Sequence, residues 1–294
     1  MTITVINARA ESLPLDVLAA CDVQIVDPPY SPYVHGHAMS CHSVDTGGPA
    51  TRDLDFDPLS PTLMRRIAVA AAAVARWTIV FCDLESTHLW REEMARLGVE
   101  YVREIMWPDG VLDAMPQRWI RWSQSQISGD RPPSGAEATL TFHRGKGVTR
   151  AGHVVPQKKH WNGPGNLTHW DAKCLRGADK GTAEKPLDLA LAIVSAYSDP
   201  GETVLVTCAG WGTEVQACRL LGRDCVAVEV DPVTCALAQT RIDAPLSERD
   251  RERATRWVDA TLTETASDSH VSEPARARAT RRLADARTVM AAVS

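Results

Sequence analysis

No stretch of this chain approaches the roughly 18 consecutive apolar residues that cross a membrane, and the opening Met1-Thr2-Ile3-Thr4-Val5-Ile6 lacks the basic flank and long apolar run of an export signal. A cytosolic protein without a membrane partner is therefore expected. The eight cysteines, at positions 21, 41, 82, 174, 208, 218, 225 and 235, include no C-x-x-C pair, and a chain of 294 residues needs no disulfide staples. Reduced and mostly buried thiols follow. Excess positive charge is lacking too: the formal net charge is −5, so contact with a polyanion has to come from a local basic patch. No internal repeat, coiled-coil or collagen pattern appears, and 44% hydrophobic with 23% charged residues describes an ordinary globular chain of one large domain or two small ones.

Against that background the stretch Asp27-Pro28-Pro29-Tyr30 organises the rest. It follows an apolar alternating run, Asp22-Val23-Gln24-Ile25-Val26, that reads as a buried strand, and the two prolines stop that strand and turn the chain. Open α/β sheets bind their ligands at the carboxyl ends of strands. Asp27 and the Pro28 carbonyl can accept hydrogen bonds from an amino group, Pro29 completes a rigid corner, and Tyr30 offers a flat face for a planar ring. A flipped nucleobase fits that description.

In chain order, residues 3–7 and 22–26 read as strands around a short helix that starts near Ser12-Leu13-Pro14-Leu15. Ser31 to Ser60 mixes Pro, Gly, His, Ser and Asp with little periodicity and reads as a long loop, of the kind that serves as a lid or is partly disordered. His35, His37, Cys41 and His42 within it match no structural zinc spacing and have no second cluster, so no metal is expected. Pro61 to Ala75 favours helix, Trp77 to Cys82 is a buried strand ended by Asp83-Leu84-Glu85-Ser86, and Thr87 to Leu97 patterns as an amphipathic helix. Val99 to Trp107 and Glu137 to Phe142 are further strand candidates across a Pro/Gly-rich region. Strands alternating with helices predict a doubly wound α/β sheet.

From Arg144 to Gly181 the charge reverses: Arg144, Lys146, Arg150, Lys158, Lys159, Lys173, Arg176 and Lys180 face only Asp171 and Asp179. Trp161 and Trp170, with His143, His153, His160 and His169, lie in or beside this segment. Basic residues with aromatic neighbours are what phosphate neutralisation and base contacts require, although a solvated surface loop can carry such charge incidentally.

The stretch from Lys185 to Asp231 follows another logic. Lys185-Pro186 opens a helix over Leu187 to Tyr197, Pro200-Gly201 turns the chain, Thr203 to Val206 makes a strand, and Ala209-Gly210-Trp211-Gly212-Thr213 turns into a helix over Glu214 to Leu221. Cys225 to Val228 is the next strand, with Glu229 at its end. A strand, a G-x-G turn, a helix, a strand and then an acid is how Rossmann-like folds cradle nucleotides: the glycines admit the ligand and the carboxylate accepts ribose hydroxyls.

Taken together, Asp27-Pro28-Pro29-Tyr30, Lys185-Pro186, Gly210, Gly212-Thr213 and Glu229 resemble the motifs of the amino-group DNA methyltransferases, which methylate the exocyclic nitrogen of adenine or cytosine. The resemblance covers most of residues 20–240, and the motif order is similar to the β group, a circular permutation of the usual fold. It implies a Rossmann-like α/β fold with a mostly parallel seven-stranded sheet, helices on both faces and a small inserted recognition segment. The expected organisation is a catalytic half over 1–143, a target-recognition segment over 144–183, a cofactor half over 184–245 and a helical extension over 246–294 with a solvated face. The implied cofactor is S-adenosylmethionine, and the implied partner is double-stranded DNA, with a homodimer left open. Asp27, Pro28, Pro29 and Tyr30 would then be catalytic. Lys185, Pro186, Cys208, Ala209, Gly210, Gly212, Thr213, Glu229 and Asp231 would bind cofactor, and Arg144, Lys146, Lys158, Lys159 and Trp161 would contact DNA.

The implied chemistry agrees with the residues. Asp27 and the Pro28 carbonyl would take the two hydrogens of an exocyclic amino group, raise electron density on nitrogen and aim it for direct methyl transfer, while Tyr30 stacks on the extruded base. Ring-carbon methylation of cytosine would need a thiolate after a proline, and none of the 18 prolines precedes a cysteine. By family tendency Asp at position 27 favours adenine, with the cytosine amino group and a degenerate binding protein as alternatives. The chain departs from the family's Asp-Pro-Phe-x-Gly-Ser-Gly-Thr turn at Val206, Cys208 and Trp211. Val206 replaces an acid near the cofactor's ammonium group, with Asp83 and Glu85 as candidate substitutes, and restoring an acid at 206 is expected to tighten cofactor binding.

Overall fold

The computed structural model describes residues 1–36, 54, 56–101, 105–106, 112–113, 117–122, 136–144, 146–148, 154–156, 162, 169–172 and 184–267, with 280, 283–284 and 287–288 beyond. The first half runs β1 (Ile3–Asn7), α1 (Leu15–Ala19), β2 (Val23–Val26), α2 (Pro32–Gly36), α3 (Pro61–Ala73), β3 (Trp77–Cys82) and α4 (Thr87–Arg96). Then come β4 (Glu100–Tyr101), β5 (Ile105–Met106), β6 (Leu112–Asp113), β7 (Gln117–Trp122), β8 (Ala136–His143), β9 (Lys146–Val148), β10 (Val154–Pro156) and β11 (His169–Ala172). The cofactor half expected from sequence comprises α5 (Leu187–Tyr197), β12 (Thr203–Thr207), α6 (Thr213–Leu220), β13 (Asp224–Glu229) and α7 (Pro232–Asp243), with α8 (Glu248–Ser267) after it.

The local causes are legible at each boundary. Val23, Ile25 and Val26 are fully buried, and Pro28 follows them, so β2 stops where its ladder loses an amide. α3 starts at Ser60, whose hydroxyl accepts from the Leu63 amide at 3.1 Å with Pro61 behind it, and its alanines let it pack closely on the sheet. α5 buries Leu187, Leu189, Leu191, Ile193 and Val194, each contributing about 1.5–3 kcal/mol of transfer free energy.

The main sheet is ordered β1-β13-β12-β2-β3-β8-β7-β11. Strands β1, β13, β12, β2 and β3 run parallel, β8 is antiparallel to β3, and β7 is antiparallel to β8. The sheet has nine strands among the described residues where seven were expected. The two additions are β11, parallel to β7 at the far edge, and β4, which pairs with His143 and Phe142 on the flank of β8 that β7 uses further along. The stretch 99–107 is thus two short strands rather than one, and β7 escapes a periodicity reading because Arg118 and Arg121 interrupt its apolar residues. The segment 144–183 also gives β11 to the main sheet.

Helices cover both faces. One core layer joins α5, α6 and α8 to the sheet through Leu191, Val194, Val206, Val215, Cys218 and Trp257; the other joins α3 and α4 to it through Ile67, Ala71, Trp90 and Met94, with α1 adding Leu18. α8 is more than a solvated extension, since Ala254, Trp257 and Val258 are buried against the first layer and Arg253 pairs with Asp188 of α5 at 2.8 Å. No helix among the described residues is long and apolar enough to cross a membrane.

Candidate active site

The register of β2 against β12 pairs Val26 with Thr207, so Asp27 and Cys208 leave the sheet side by side at its carboxyl end. Motifs some 180 residues apart in sequence therefore meet at one point. Asp27 is half-buried, and its Oδ2 lies 3.0 Å from Lys185 Nζ, whose own side chain is only 8% exposed. That ammonium also reaches the Tyr30 hydroxyl at 3.4 Å and lies 5.5 Å from the Tyr30 ring centroid and 5.3 Å from that of Phe81. Lys185, expected on the cofactor, is thus tied to the Asp27-to-Tyr30 corner. Pro186 is buried at the start of α5 and aims it.

Asp83 does not stand in for the acid missing at 206. Its carboxylate accepts from the Ser31 amide and from the Ser86 amide, each at 2.7 Å, and so anchors the residue after Tyr30 to the end of β3. Glu85 is exposed. The stem of the loop after the corner closes through the Leu59 amide on the Tyr30 carbonyl at 3.0 Å and through His35 Nε2 against the Phe56 carbonyl at 2.6 Å. Of the four candidate ligand residues considered in that loop only His35 is among the described residues, and no group of three or more His, Cys, Asp or Glu side chains placed to hold a metal is found among them.

The glycine turn is built from unusual backbone. Cys208 (φ 60°), Gly210 (φ 51°) and Gly212 (φ 75°) all lie in the left-handed region, and Cys208 is the non-glycine case among the described residues. At Cys208, which has a side chain, that conformation costs about 1–3 kcal/mol and marks a place where surrounding structure imposes the shape. Burial raises the Cys208 thiol well above its ordinary pKa, with the charges of Glu229 and Asp27 adding to the rise. Ala209 is buried, and its amide bonds the Val228 carbonyl at 2.9 Å. A side chain added at Gly210 would meet nothing, whereas one at Gly212 would lie 3.1 Å from Ala238 Cβ on α7. Gly210 is thus open to a ligand, while Gly212 already serves the packing of α6 on α7, contrary to the reading that both serve the cofactor.

Glu229 spans the turn. Its Oε2 accepts from the Gly210 amide at 2.8 Å and its Oε1 from the Asp231 amide at 3.0 Å, while the Asn7 side chain holds the Glu229 and Val230 carbonyls at 3.0 Å. Each oxygen retains a lone pair that can accept a further hydrogen bond. Asp231 is a helix cap: it is exposed, accepts from the Thr234 amide at 2.6 Å, and that bond lowers its pKa. Thr213 is buried, its hydroxyl taken up by Arg241 at 3.1 Å and Glu184 at 3.4 Å. Arg241 further holds the Trp211 carbonyl at 3.2 Å, Glu184 at 2.9 Å and both oxygens of Asp250 on α8. This cluster, which binds the turn to α7 and α8, has no linear motif and was missed in sequence. Val206 is 2% exposed inside the apolar layer under α5 and α6, so an acid there would enter the core.

A second residue missed in sequence is Glu214 in the first turn of α6. It is 7% exposed, and its Oε1 has no hydrogen-bond partner. Burial raises its pKa to about 7, with the Asp27 charge adding to the rise and its own amide, Lys185 and Arg241 opposing it. A glutamate after a glycine turn is not a recognisable signal.

The expected DNA contacts are mostly not placed. Arg144 follows β8, half-buried, with its amide on the Arg76 carbonyl at 3.0 Å; Lys146 begins the β9–β10 hairpin; Lys158, Lys159 and Trp161 lie outside the described residues. Two aromatic residues grouped with that segment belong to the core instead. Trp170 is 8% exposed in the first apolar layer, and His143 is fully buried with its ring 4.6 Å from Trp77.

By sequence the chain matches no family model and no curated protein. By structure it is similar to M1.HpyAVI in complex with SAM, at a TM-score of 0.57 and 18% identity, covering 83% of this chain and 100% of that one. A second M1.HpyAVI structure gives 0.54 and 16% over the same shares. The PvuII DNA methyltransferase, cytosine-N4-specific, covers 96% of this chain and 93% of that one at 9% identity, but its TM-score of 0.48 is too low to carry an argument. At these identities the likeness establishes architecture: the chain has a Rossmann-like α/β fold shared with M1.HpyAVI over most of its length.

Proposed function

We propose that this protein is an S-adenosylmethionine-dependent DNA methyltransferase acting on the exocyclic amino group of adenine. The observation that carries the reading is the β2–β12 register, which sets the Asp27-to-Tyr30 corner beside the Gly210 turn at the ligand-binding end of the sheet. Two elements suited to an amino-bearing ring and to a nucleotide-like cofactor have no structural reason to share that point. The fold of M1.HpyAVI, which binds SAM, supports the cofactor.

The residues present fit that cofactor. The space above Gly210, the Glu229 carboxylate across the turn and the unpartnered Glu214 form a cradle for a nucleoside with a charged tail. The cofactor supplies an activated methyl group; the rest is done by the chain. The ammonium of Lys185 pairs with Asp27 and fixes Oδ2, leaving Oδ1 without a partner among the described residues to accept an amino hydrogen. The Pro28 carbonyl takes the second hydrogen, and Tyr30, held by Asp83 through Ser31 and by Leu59, presents its ring to the base. The proton released on N-methylation passes to Asp27 and then to solvent. The basic segment 144–181 is the proposed DNA contact, read from its charge.

The test is transfer of labelled methyl from S-adenosylmethionine to unmethylated duplex DNA, followed by nucleoside analysis. N6-methyladenine is the expected product. N4-methylcytosine would move the reading to the cytosine amino group. Absence of transfer together with absence of cofactor binding, restored to binding in Trp211→Ser, would mean that the indole closes the site and the protein is not an enzyme.

A further inference from the structure

Among the described residues, the buried carboxylates around the site are held by a basic side chain or by backbone amides, and Glu214 alone keeps a buried carboxylate oxygen with no hydrogen bond. Asp27 is matched by Lys185, and Glu184 and Asp250 are matched by Arg241. Glu214 is within the electrostatic reach of Asp27, Lys185 and Arg241, but no basic side chain among the described residues lies within ion-pair distance of it. An unpartnered oxygen on a buried carboxyl forfeits hydration without compensation, and native structures keep such groups for a purpose. The side chain sits one residue past Thr213, where the glycine turn becomes α6, within electrostatic reach of Asp27.

We propose that Glu214 receives the α-ammonium group of the cofactor's methionine end, an inference that rests on the S-adenosylmethionine reading above. The acid expected to do this at position 206 is absent, Val206 is sealed in the core, and Asp83 and Glu85 are respectively engaged by backbone amides and exposed. A tail running from the open face of Gly210 towards Asp27 passes the start of α6, so the carboxylate lies along its path. A cation arriving there replaces the lost hydration of Glu214 and screens it from the like charge of Asp27. Arg241 cannot play that part, since its guanidinium is committed to Glu184, Thr213, the Trp211 carbonyl and Asp250.

The experiment is a double cycle by calorimetry on the full chain. The ligands are S-adenosylmethionine, S-adenosylhomocysteine and the homocysteine analogue in which hydrogen replaces the α-ammonium group. The unmutated protein should bind the deaminated analogue about 10- to 100-fold more weakly than S-adenosylhomocysteine. In Glu214→Gln, and in Glu214→Met as an apolar control of similar length, that preference should disappear while the analogue itself binds as before. S-adenosylmethionine and S-adenosylhomocysteine should lose equally, because both carry the ammonium. An unmutated protein that binds the ammonium and deaminated ligands alike, or either variant keeping the preference, overturns the assignment and leaves the methyltransferase reading intact. Selective loss of S-adenosylmethionine overturns it in favour of a contact with the sulfonium. If the unmutated protein binds none of the three, the cofactor reading itself falls and takes this inference with it.

Discussion

The corner at Asp27 and the turn at Gly210 leave adjacent parallel strands at the same end of the sheet, yet they hold their shapes by opposite means. The corner is made rigid by covalent geometry, two prolines, and is aimed by side chains: Lys185 on Asp27 and Asp83 on the Ser31 amide. The turn is held by backbone in left-handed conformations at 208, 210 and 212, with the Glu229 carboxylate stapled across it and Arg241 gripping it from α7. A side-chain-built element shows in sequence as a motif, because each role demands a residue type. A backbone-built element needs only glycines at a few points and tolerates Val206, Cys208 and Trp211 around them. The corner is therefore legible as a motif, while the turn is not.

The largest test of this contrast is Asp27→Asn. The amide keeps an oxygen for Lys185, so the fold should hold, but it loses the charge that pulls density onto the target nitrogen. Methyl transfer should fall about 10³-fold with cofactor affinity changed less than about threefold. Labelled-methyl turnover and calorimetry check it, and turnover near that of the unmutated protein would remove Asp27 from the chemistry. Next comes Val206→Asp, where the structure reverses the sequence expectation. An unpaired carboxylate would enter a site 2% exposed among Val194, Val204 and Val215, and stability should drop by about 3 kcal/mol. A shifted denaturant midpoint is the measurement; tighter cofactor binding at undiminished stability would show that position 206 faces the ligand after all.

Why the fold was more legible than the site follows from the same contrast. The strands at 3–7, 23–26, 77–82 and 203–207 and the helices after Ser60 and Pro186 are dictated by apolar runs, caps and prolines within a few residues of themselves. The strands β7 and β11 depend on what they pair with, and Arg118, Arg121 and Asp171 conceal them. Within the site, Asp27 was legible because its neighbours stop a strand. Arg241 and Glu214 were not, because their roles exist only once α7, α6 and the 184–186 approach come together. Trp170 and His143 were misread for the same reason in reverse: charge nearby in sequence hid their burial in the core.

The third test is pH. Glu214 has its folded pKa raised to about 7, so between its ordinary pKa and that value the folded chain binds more protons than the unfolded one. Stability from this group is present at low pH and is lost as pH rises to about 7. The groups within its electrostatic reach are Asp27 after β2, Lys185 before α5, Arg241 on α7 and Cys225 on β13. Between pH 5 and 8 the parent should therefore lose about 2 kcal/mol that Glu214→Gln does not lose. Parallel pH profiles of unfolding for the two proteins would show that Glu214 does not titrate there.

The smallest effects divide the two glycines. At Gly210 an alanine side chain meets open space and suffers only the left-handed strain of φ 51°, so Gly210→Ala should cost about 1 kcal/mol of stability. Its methyl group nevertheless stands in the face left open for a ligand, and cofactor affinity should fall more than about tenfold. At Gly212 the strain at φ 75° is joined by a contact of 3.1 Å with Ala238, a helix residue that cannot step aside without moving α7. Gly212→Ala should cost about 2 kcal/mol while binding changes only as far as the turn is dragged with it. Thermal unfolding and calorimetric titration of the two variants give four values, and their pattern is the content of the prediction. Should Gly212→Ala be the variant that folds well and loses cofactor, the ligand side and the packing side of the turn would have to be exchanged.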